Sequence, residues 1–187
     1  MKKILCIVAL LLVSFVSFAQ EEKNEETSKS KTLEFISKGS SLIKKEFYSL
    51  GSVKGVECQV LIVTDLLQDV KMGCLRLKTT HYNSYTSSDT YIGTLDYDEI
   101  DDCIKSINYI KDHIISSNPN VYTETNYSTR DNIEIGAYYS EDKVTWKAYV
   151  QTKDYTSRSM KFFDSDSLPL LLEIMTNAKT MIEEKTK

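Results

Sequence analysis

Two stretches of the chain alternate apolar and polar positions with a period of two, and each predicts a β-hairpin with one buried face. In the first, residues 56–79, the letters "LLQD" are the expected loop, and Asp65 pairs with Val70. This register sets Glu57 opposite Lys78, so opposite charges face each other across the strands. Because the apolar face and the charges agree, one register is expected.

The second hairpin covers residues 133–150, with "SEDK" as its expected loop. Around this loop Tyr139 pairs with Val144, and apolar residues face apolar residues along both strands. The further expected pairs are Ala137–Trp146, Ile135–Ala148 and Ile133–Val150. Both hairpins are antiparallel, because such short loops cannot make the crossovers that parallel strands need.

Each hairpin leads into an extended run, residues 89–95 and 158–163, and then into an amphipathic helix. Asp96 and Glu99 have capping-box spacing at the start of the first helix. Pro169 belongs in the first turn of the second helix, where its missing N–H costs nothing. The apolar stripes are Ile100, Cys103, Ile104, Ile107, Ile110 and Ile114 in the first helix, and Leu168, Leu171, Leu172, Met175, Ala178 and Ile182 in the second.

A further strand is expected before each hairpin, in residues 41–50 and 121–127, and residues 34–40 are expected to add a short leading strand. The order is then four strands and a helix, twice, in half-repeats of about 41–115 and 121–184. The predicted fold class is α+β: tandem ββββα repeats, with mainly antiparallel sheets packed against two long helices. Identical residues at equivalent positions of the halves are Asp96/Asp164, Asp98/Asp166, Lys111/Lys179 and Ile114/Ile182.

This element order resembles the Whirly and PUR folds, which bind single-stranded nucleic acid. The resemblance spans residues 41–184 and implies single-stranded nucleic-acid binding as an alternative function. Phosphate binding needs clustered Lys and Arg, whereas this chain has a formal net charge of −4. We therefore expect no nucleic-acid partner. The chain also resembles small exported bacterial proteins of unknown function.

The N-terminal residues have the pattern of a secretory signal peptide. Residues 1–19 combine Lys2 and Lys3 with an apolar run and a small-x-small cleavage site that ends at Ala19. A membrane anchor is the alternative, but the run is shorter than the ~20 residues that a span needs. Residues 20–31 contain no apolar side chain and are expected to form a flexible polar leader before a single α+β domain, residues 32–187. The expected location is exported, periplasmic or extracellular, with no membrane span in the mature chain.

Three cysteines remain after this cleavage, and the predicted register separates two of them. Cys58 faces the core, whereas Cys74 lies on the opposite face of the sheet beside Leu61. Two cysteines on opposite faces cannot reach disulfide geometry, so no Cys58–Cys74 bridge is expected. Cys103 lies on the apolar stripe of the first helix and is expected to be a small buried residue.

Candidate catalytic chemistry is sparse. The chain has two histidines, His81 in a polar loop and His113 near the end of the first helix, and no nucleophile elbow, HExxH or phosphate-loop motif. We predict no catalytic residue, with a hydrolase-like enzyme whose site is hidden in sequence as the alternative. Such an enzyme would show His81 in a deep cleft beside a carboxylate.

The acidic segment "DYDEIDD", residues 96–102, is the one candidate for a metal site. An EF-hand would place Gly at position six and Glu at position twelve, where this chain has Asp101 and Ile107. Acidic residues at a helix start are explained by capping and by the helix dipole. We therefore predict no metal and no cofactor.

Tyrosine is frequent, with twelve residues in the chain. The predicted register places Tyr138, Tyr149 and Lys147 on the outer face of the second hairpin, and Tyr82 and Tyr85 in a long polar loop. Tyrosine gives recognition surfaces contact area at low entropic cost. We therefore predict a soluble, non-enzymatic binding module that uses these five residues to bind a small ligand, a glycan or a protein partner.

A homodimer is a further expectation. In the predicted register Leu61, Val63 and Met72 lie beside Cys74 on the face of the first hairpin that is turned away from the core. If no helix covers them, they form an exposed apolar patch that a second copy could bury.

Overall fold

Two four-stranded antiparallel sheets form the protein, as a computed structural model that describes residues 30–84, 87–140 and 145–187 shows. The first sheet contains β1 (Ile43–Val53), β2 (Val56–Asp65), β3 (Val70–Ser84) and β4 (Ser87–Asp96), and the second contains β5 (Thr123–Ser128), β6 (Glu134–Ser140), β7 (Thr145–Gln151) and β8 (Met160–Asp164). In both sheets the spatial order follows the chain. The predicted α+β fold of tandem ββββα units is confirmed. The predicted signal peptide, residues 20–29 of the predicted leader and Tyr85 lie outside the described residues.

Three helices accompany the sheets in the described part of the chain. They are α1 (Lys31–Ser37), α2 (Ile100–Tyr109), which continues as a π-turn (Ile110–Ile114), and α3 (Leu168–Thr186). With 10 and 19 residues, α2 and α3 are of ordinary length rather than long. The predicted positions of the Asp96–Glu99 capping box and of Pro169 in the first turn of α3 are confirmed.

Helix α1 occupies the segment in which a short leading strand was expected. The Ser30 hydroxyl caps it by accepting the backbone N–H of Leu33 at 3.2 Å. Ser30 is fully buried, and the backbone N–H of Lys31 donates to Asp96, so the last two residues of the predicted leader are bonded to the domain. The short apolar run is compatible with a strand or with a helix. The Ser30 cap and the hydrogen bonds from Ser30 and Thr32 to Asp96 stabilise the helix.

The register of the first hairpin is confirmed at every predicted pair, including Asp65–Val70 and Glu57–Lys78. In the second hairpin the predicted register is wrong by two residues, because Tyr139 pairs with Trp146 instead of Val144. The remaining pairs shift with it, to Ala137–Ala148 and Ile135–Val150. A shift of two residues leaves each side chain on its own face, so the alternation could not distinguish the two registers.

Helices α2 and α3 each pack on the sheet of the other half. Helix α3, from the second half, lies against β1, β2 and β3, whereas α2, from the first half, lies against β5 and beside α3. A β carbon at Gly73 would lie 2.7 Å from Cγ2 of Ile182, so β3 and α3 approach closely. The inner faces of both sheets and the stripes of both helices thereby form one continuous core.

Helix α1 covers part of the outer face of the first sheet. Phe35 packs with Leu61, Val63 and Cys74 in a second, smaller apolar cluster, and Met72 contacts its edge. The patch that would have suggested a homodimer is therefore covered by the chain itself. Helix α1 is too early in the sequence to belong to either half-repeat, and the pattern of the repeats could not reveal this packing.

The three cysteines of the described residues, Cys58, Cys74 and Cys103, are free and buried. Cys58 and Cys74 lie on opposite faces, as predicted, and Cys103 packs in the main core. Burial raises the pKa of all three thiols to about 12. Their thiolate population is therefore negligible at neutral pH, and they act as small apolar residues. No helix in the described ranges is long and apolar enough to cross a membrane.

Candidate binding face

Three rows of side chains cross the second sheet on the face turned away from the core. The rows are Glu124–Tyr138–Lys147–Asp164, Asn126–Gly136–Tyr149–Phe162 and Ser128–Glu134–Gln151–Met160. Tyr122 precedes β5 and joins the first row through its ring contact with Tyr138. A half-open cavity of about 270 Å³ here is lined by Tyr122, Glu124, Tyr138, Tyr149, Met160 and Phe162, and we call these six residues the aromatic face.

The rings of the aromatic face contact one another. Tyr138 is central: its ring centroid lies 5.5 Å from that of Phe162, 6.2 Å from that of Tyr122 and 6.5 Å from that of Tyr149. The Tyr138 and Phe162 rings meet edge to face, at 75°. Such separations and angles are those of stabilising aromatic pairs, so the rings hold one another in place. The surface is therefore organised before any ligand arrives.

The Glu124 carboxylate accepts hydrogen bonds from two tyrosines at the edge of this cluster. It accepts the Tyr149 hydroxyl at 2.5 Å and the Tyr122 hydroxyl at 3.2 Å. Tyr149 starts on β7, pairs with Gly136 on β6 and reaches Glu124 on β5, so its side chain crosses β6 where that strand has no side chain. Tyr149 is only 1% exposed, and burial together with the hydrogen bond to Glu124 raises its pKa far above the usual value.

Lys147 is held by an ion pair with Asp164, its neighbour in the first row. The hydrogen bond with Asp164 raises the pKa of Lys147 and lowers the pKa of Asp164. Glu124 and Glu134 form no ion pair within the described ranges. The outer face of the second sheet thus carries three carboxylates and one ammonium group, which is already paired.

The structure brings together three of the five predicted site residues. Tyr138, Lys147 and Tyr149 share one face, as predicted, although Tyr149 is buried under its neighbours rather than presented to solvent. Tyr82 is 77% exposed near the far end of the β3–β4 hairpin and is not part of the aromatic face. Tyr85 lies outside the described residues.

Sequence reasoning missed Tyr122, Glu124 and Phe162. Tyr122 directly precedes β5, Glu124 lies on β5 and Phe162 lies on β8, and the hairpin pattern includes neither strand. Extending the second hairpin by one strand on each side would have found them, because Phe162 is the register partner of Tyr149 and Glu124 is that of Tyr138.

The acidic segment after β4 has a structural role, in agreement with the capping interpretation. The Asp96 carboxylate accepts hydrogen bonds from the Lys31 backbone at 2.7 Å and from Arg130 Nη2 at 3.0 Å. Arg130 also pairs with Asp98 and donates its backbone N–H to Glu99 at 2.8 Å. Among the described residues, no group of three or more His, Cys, Asp or Glu side chains is arranged to hold a metal ion.

Two further cavities lie elsewhere. One, of about 250 Å³, lies between α1, β3 and the end of α3 and includes Lys31, Lys71 and Ile182. The other, of about 390 Å³, lies between α2 and β5 and includes Tyr109 and Asn126. No histidine lines any of the three cavities described here. His81 is the cross-strand partner of Asp89, whose carboxylate instead accepts from Asn83 at 2.8 Å.

Comparison of the chain with protein-family models, with curated proteins and with solved structures finds no match. The geometry of the aromatic face is suited to stacking on its rings and to hydrogen bonding at Glu124.

Proposed function

We propose that the protein is an exported, non-enzymatic binding module that recognises its ligand through the aromatic face of the second sheet. One observation carries this proposal. The outer face of the first sheet has a packed helix, α1, on its apolar part, whereas Phe162 and Tyr122 on the equivalent side of the second sheet are 56% and 58% exposed. Contiguous exposed apolar surface of this kind marks interaction sites.

The shape of the face favours binding over catalysis. Its cavity is half-open, and its titratable groups are one carboxylate and three tyrosines, without a histidine or an activated nucleophile. A catalytic site needs a nucleophile or general base within hydrogen-bond reach of a position where a substrate atom can lie. Here the hydroxyls of Tyr122 and Tyr149 are already donated to Glu124. A hydrolase-like enzyme therefore finds no support at this face.

The charge of the face disfavours the nucleic-acid alternative. Glu124, Glu134 and Asp164 outnumber Lys147, and phosphates would be repelled. Stacking of bases on aromatic rings contributes to single-strand binding only together with a basic groove. The candidates that remain are a small ligand, a glycan and a protein partner.

The test compares two exposed phenylalanines on the outer faces of the two sheets. Phe162 belongs to the aromatic face, and Phe47, on β1, is 52% exposed on the first sheet. The purified protein is screened against arrays of glycans, peptides and small metabolites, and the affinity for each binder is measured for wild type, Phe162→Ala and Phe47→Ala.

We expect Phe162→Ala to weaken binding by about tenfold, which corresponds to about 1.4 kcal/mol, and Phe47→Ala to leave it unchanged. Equal affinities for wild type and Phe162→Ala would place recognition elsewhere on the protein. A screen without any binder whose affinity depends on Phe162 would overturn the proposal.

A further inference from the structure

The charged residues around the aromatic face, on the outer face of the second sheet, select among possible partners. This inference rests on the binding function proposed above and names the chemistry of the ligand. Three carboxylates lie on the outer face of the second sheet, and the one ammonium group there, Lys147, is neutralised by Asp164. Glu124 and Glu134 therefore leave a negative potential beside the rings. A neutral ligand gains nothing from this potential and an anionic ligand is repelled, whereas a cation is attracted.

The rings add a second attraction for a cation. Aromatic faces carry negative electrostatic potential, so a cation placed over Tyr138 or Phe162 within about 6 Å of the ring centroid is stabilised. The first sheet already shows this arrangement inside the protein, since the guanidinium carbon of Arg76 lies 5.3 Å from the centroid of Phe47. On the aromatic face, Phe162 and Tyr138 have no such cation from the described part of the chain.

Glu124 can hold a further donor. A carboxylate offers about four acceptor positions, and the hydroxyls of Tyr122 and Tyr149 occupy one on each oxygen. Because these hydroxyls fix the carboxylate, a planar fork of donors would meet a preorganised acceptor. A guanidinium group provides this fork and also stacks on ring faces, whereas an ammonium group is a compact, strongly hydrated charge.

The openness of the face indicates what carries the guanidinium. Small free ligands are usually held in clefts of roughly 300–1,000 Å³ that bury most of their surface. The cavity here is about 270 Å³, at the lower end of this range, and half-open to solvent, so it suits one side chain that projects from a larger partner. We infer that the aromatic face binds an arginine-bearing segment of a partner protein, with the guanidinium stacked on Tyr138 and Phe162 and paired with Glu124.

The experiment is a titration of the isotope-labelled full chain, followed by amide and aromatic NMR shifts. The probes are an acetylated Gly-Arg-Gly-Arg-Gly peptide, the same peptide with citrulline in place of arginine, the same peptide with lysine, and maltohexaose. Citrulline keeps the shape of arginine without its charge, and lysine keeps the charge without the planar fork. Each probe is titrated against wild type, Glu124→Gln, Glu134→Gln and Glu57→Gln.

Glu57→Gln is the matched control, because Glu57 is a carboxylate on the outer face of the first sheet and is paired with Lys78 at 2.7 Å. We expect the arginine peptide to shift resonances of Tyr138, Tyr149 and Phe162. The affinity for the citrulline peptide should be at least fivefold lower, and the affinity for the lysine peptide should lie between the two. Glu124→Gln should lower the affinity for the arginine peptide about fivefold. Glu134→Gln removes a charge without removing a hydrogen-bond acceptor of Tyr149, and it should lower this affinity about twofold. Glu57→Gln should have no effect.

Each other outcome has one meaning. If maltohexaose or the citrulline peptide shifts the aromatic face as strongly as the arginine peptide, the binding function stands and the arginine assignment is overturned. If the arginine peptide shifts the resonances of acidic residues over the whole surface, including those near Glu57, binding is nonspecific and the assignment is again overturned. If no probe shifts the aromatic face, and array binders also ignore Phe162, both the assignment and the binding function fall.

Discussion

The carboxylate of Asp96 accepts a hydrogen bond from the hydroxyl of Ser30 at 2.8 Å, across 66 positions of sequence. The same carboxylate accepts the backbone N–H groups of Lys31 and Thr32, at 2.7 and 3.1 Å, and pairs with Arg130. Asp96 thus joins three parts of the chain: the segment before the first half, the end of the first sheet, and the β5–β6 connection of the second half. The two halves and helix α1 meet at one buried side chain.

Replacement of Asp96 by Ala should be strongly destabilising. Asp96 is buried, and its loss removes the acceptor of the Lys31 and Thr32 backbone N–H groups and one of the carboxylate partners of Arg130. We expect a loss of about 3 kcal/mol in the free energy of unfolding, measured by urea denaturation. The matched control is Asp164→Ala at the equivalent position of the second half, where loss of the exposed pair with Lys147 should change the free energy of unfolding far less. Equal losses would show that Asp96 does not organise the junction.

The junction should also make stability depend on acid pH through Asp98. Hydrogen bonding to Arg130 lowers the pKa of Asp98 to about 2. A carboxyl whose pKa is lower in the folded state contributes stability that is present above its unfolded pKa, about 4, and is lost as pH falls through the folded value. In Asp98→Asn, the fall of stability between pH 4 and pH 2 should be shallower than in wild type.

The control for this pH series is Asp166→Asn, the equivalent residue of the second half, which forms no ion pair within the described residues. Urea midpoints measured at half-unit steps of pH should show the wild-type slope in this variant. An Asp98→Asn profile parallel to that of wild type would contradict the assignment.

Removal of the Phe35 ring should uncover the outer face of the first sheet. Phe35 packs on Leu61, Val63 and Cys74, so Phe35→Ala should weaken the docking of α1 by about 3 kcal/mol. Cys74 should then react with a thiol reagent much faster than Cys58 or Cys103, as read by peptide mass spectrometry. Leu33→Ala, on the exposed side of the same helix, should leave Cys74 protected. Uniform labelling of all three cysteines would instead report global unfolding.

Tyr149→Phe should separate the structural role of the hydroxyl from the role of the ring. Loss of the buried hydrogen bond to Glu124 should cost about 1 kcal/mol at neutral pH. Burial and Glu124 raise the pKa of Tyr149 in the folded state, so its contribution is fully present below the unfolded value of about 10 and is lost as pH rises above it. The melting temperature should therefore fall less steeply between pH 8 and pH 11 for Tyr149→Phe than for wild type. Tyr82→Phe, at an exposed position, should match wild type throughout.

The two hairpins show how far alternation alone can predict a sheet. In the first, Glu57 and Lys78 add a charge match to the apolar match, and the predicted register is confirmed. In the second, every shift by two residues keeps apolar facing apolar, and the pattern favoured Tyr139–Val144 over the actual Tyr139–Trp146. The face of each residue was nevertheless right, which is why Tyr138 and Tyr149 could be assigned to the outer face from sequence.

The candidate site shows the corresponding limit. Tyr138, Tyr149 and Lys147 belong to one hairpin, so local periodicity identified them together. Glu124 and Phe162 come from strands 25 and 13 residues away from Tyr149, and their contribution depends on which strands flank the hairpin. No periodicity within one segment carries that information.

The sequence by itself determined the order of the eight strands and of helices α2 and α3, the inner face of each, the placement of Cys58 and Cys74 on opposite faces, and the Asp96–Glu99 capping box. These properties depend on side-chain periods and on residues close along the chain, so local physics is sufficient. The tertiary structure decided that α3 covers the first sheet, that α1 closes its outer face, and that the aromatic face of the second sheet is left open. These outcomes depend on which of several equivalent apolar surfaces bury one another, and long-range contacts such as Ser30–Asp96 select among them.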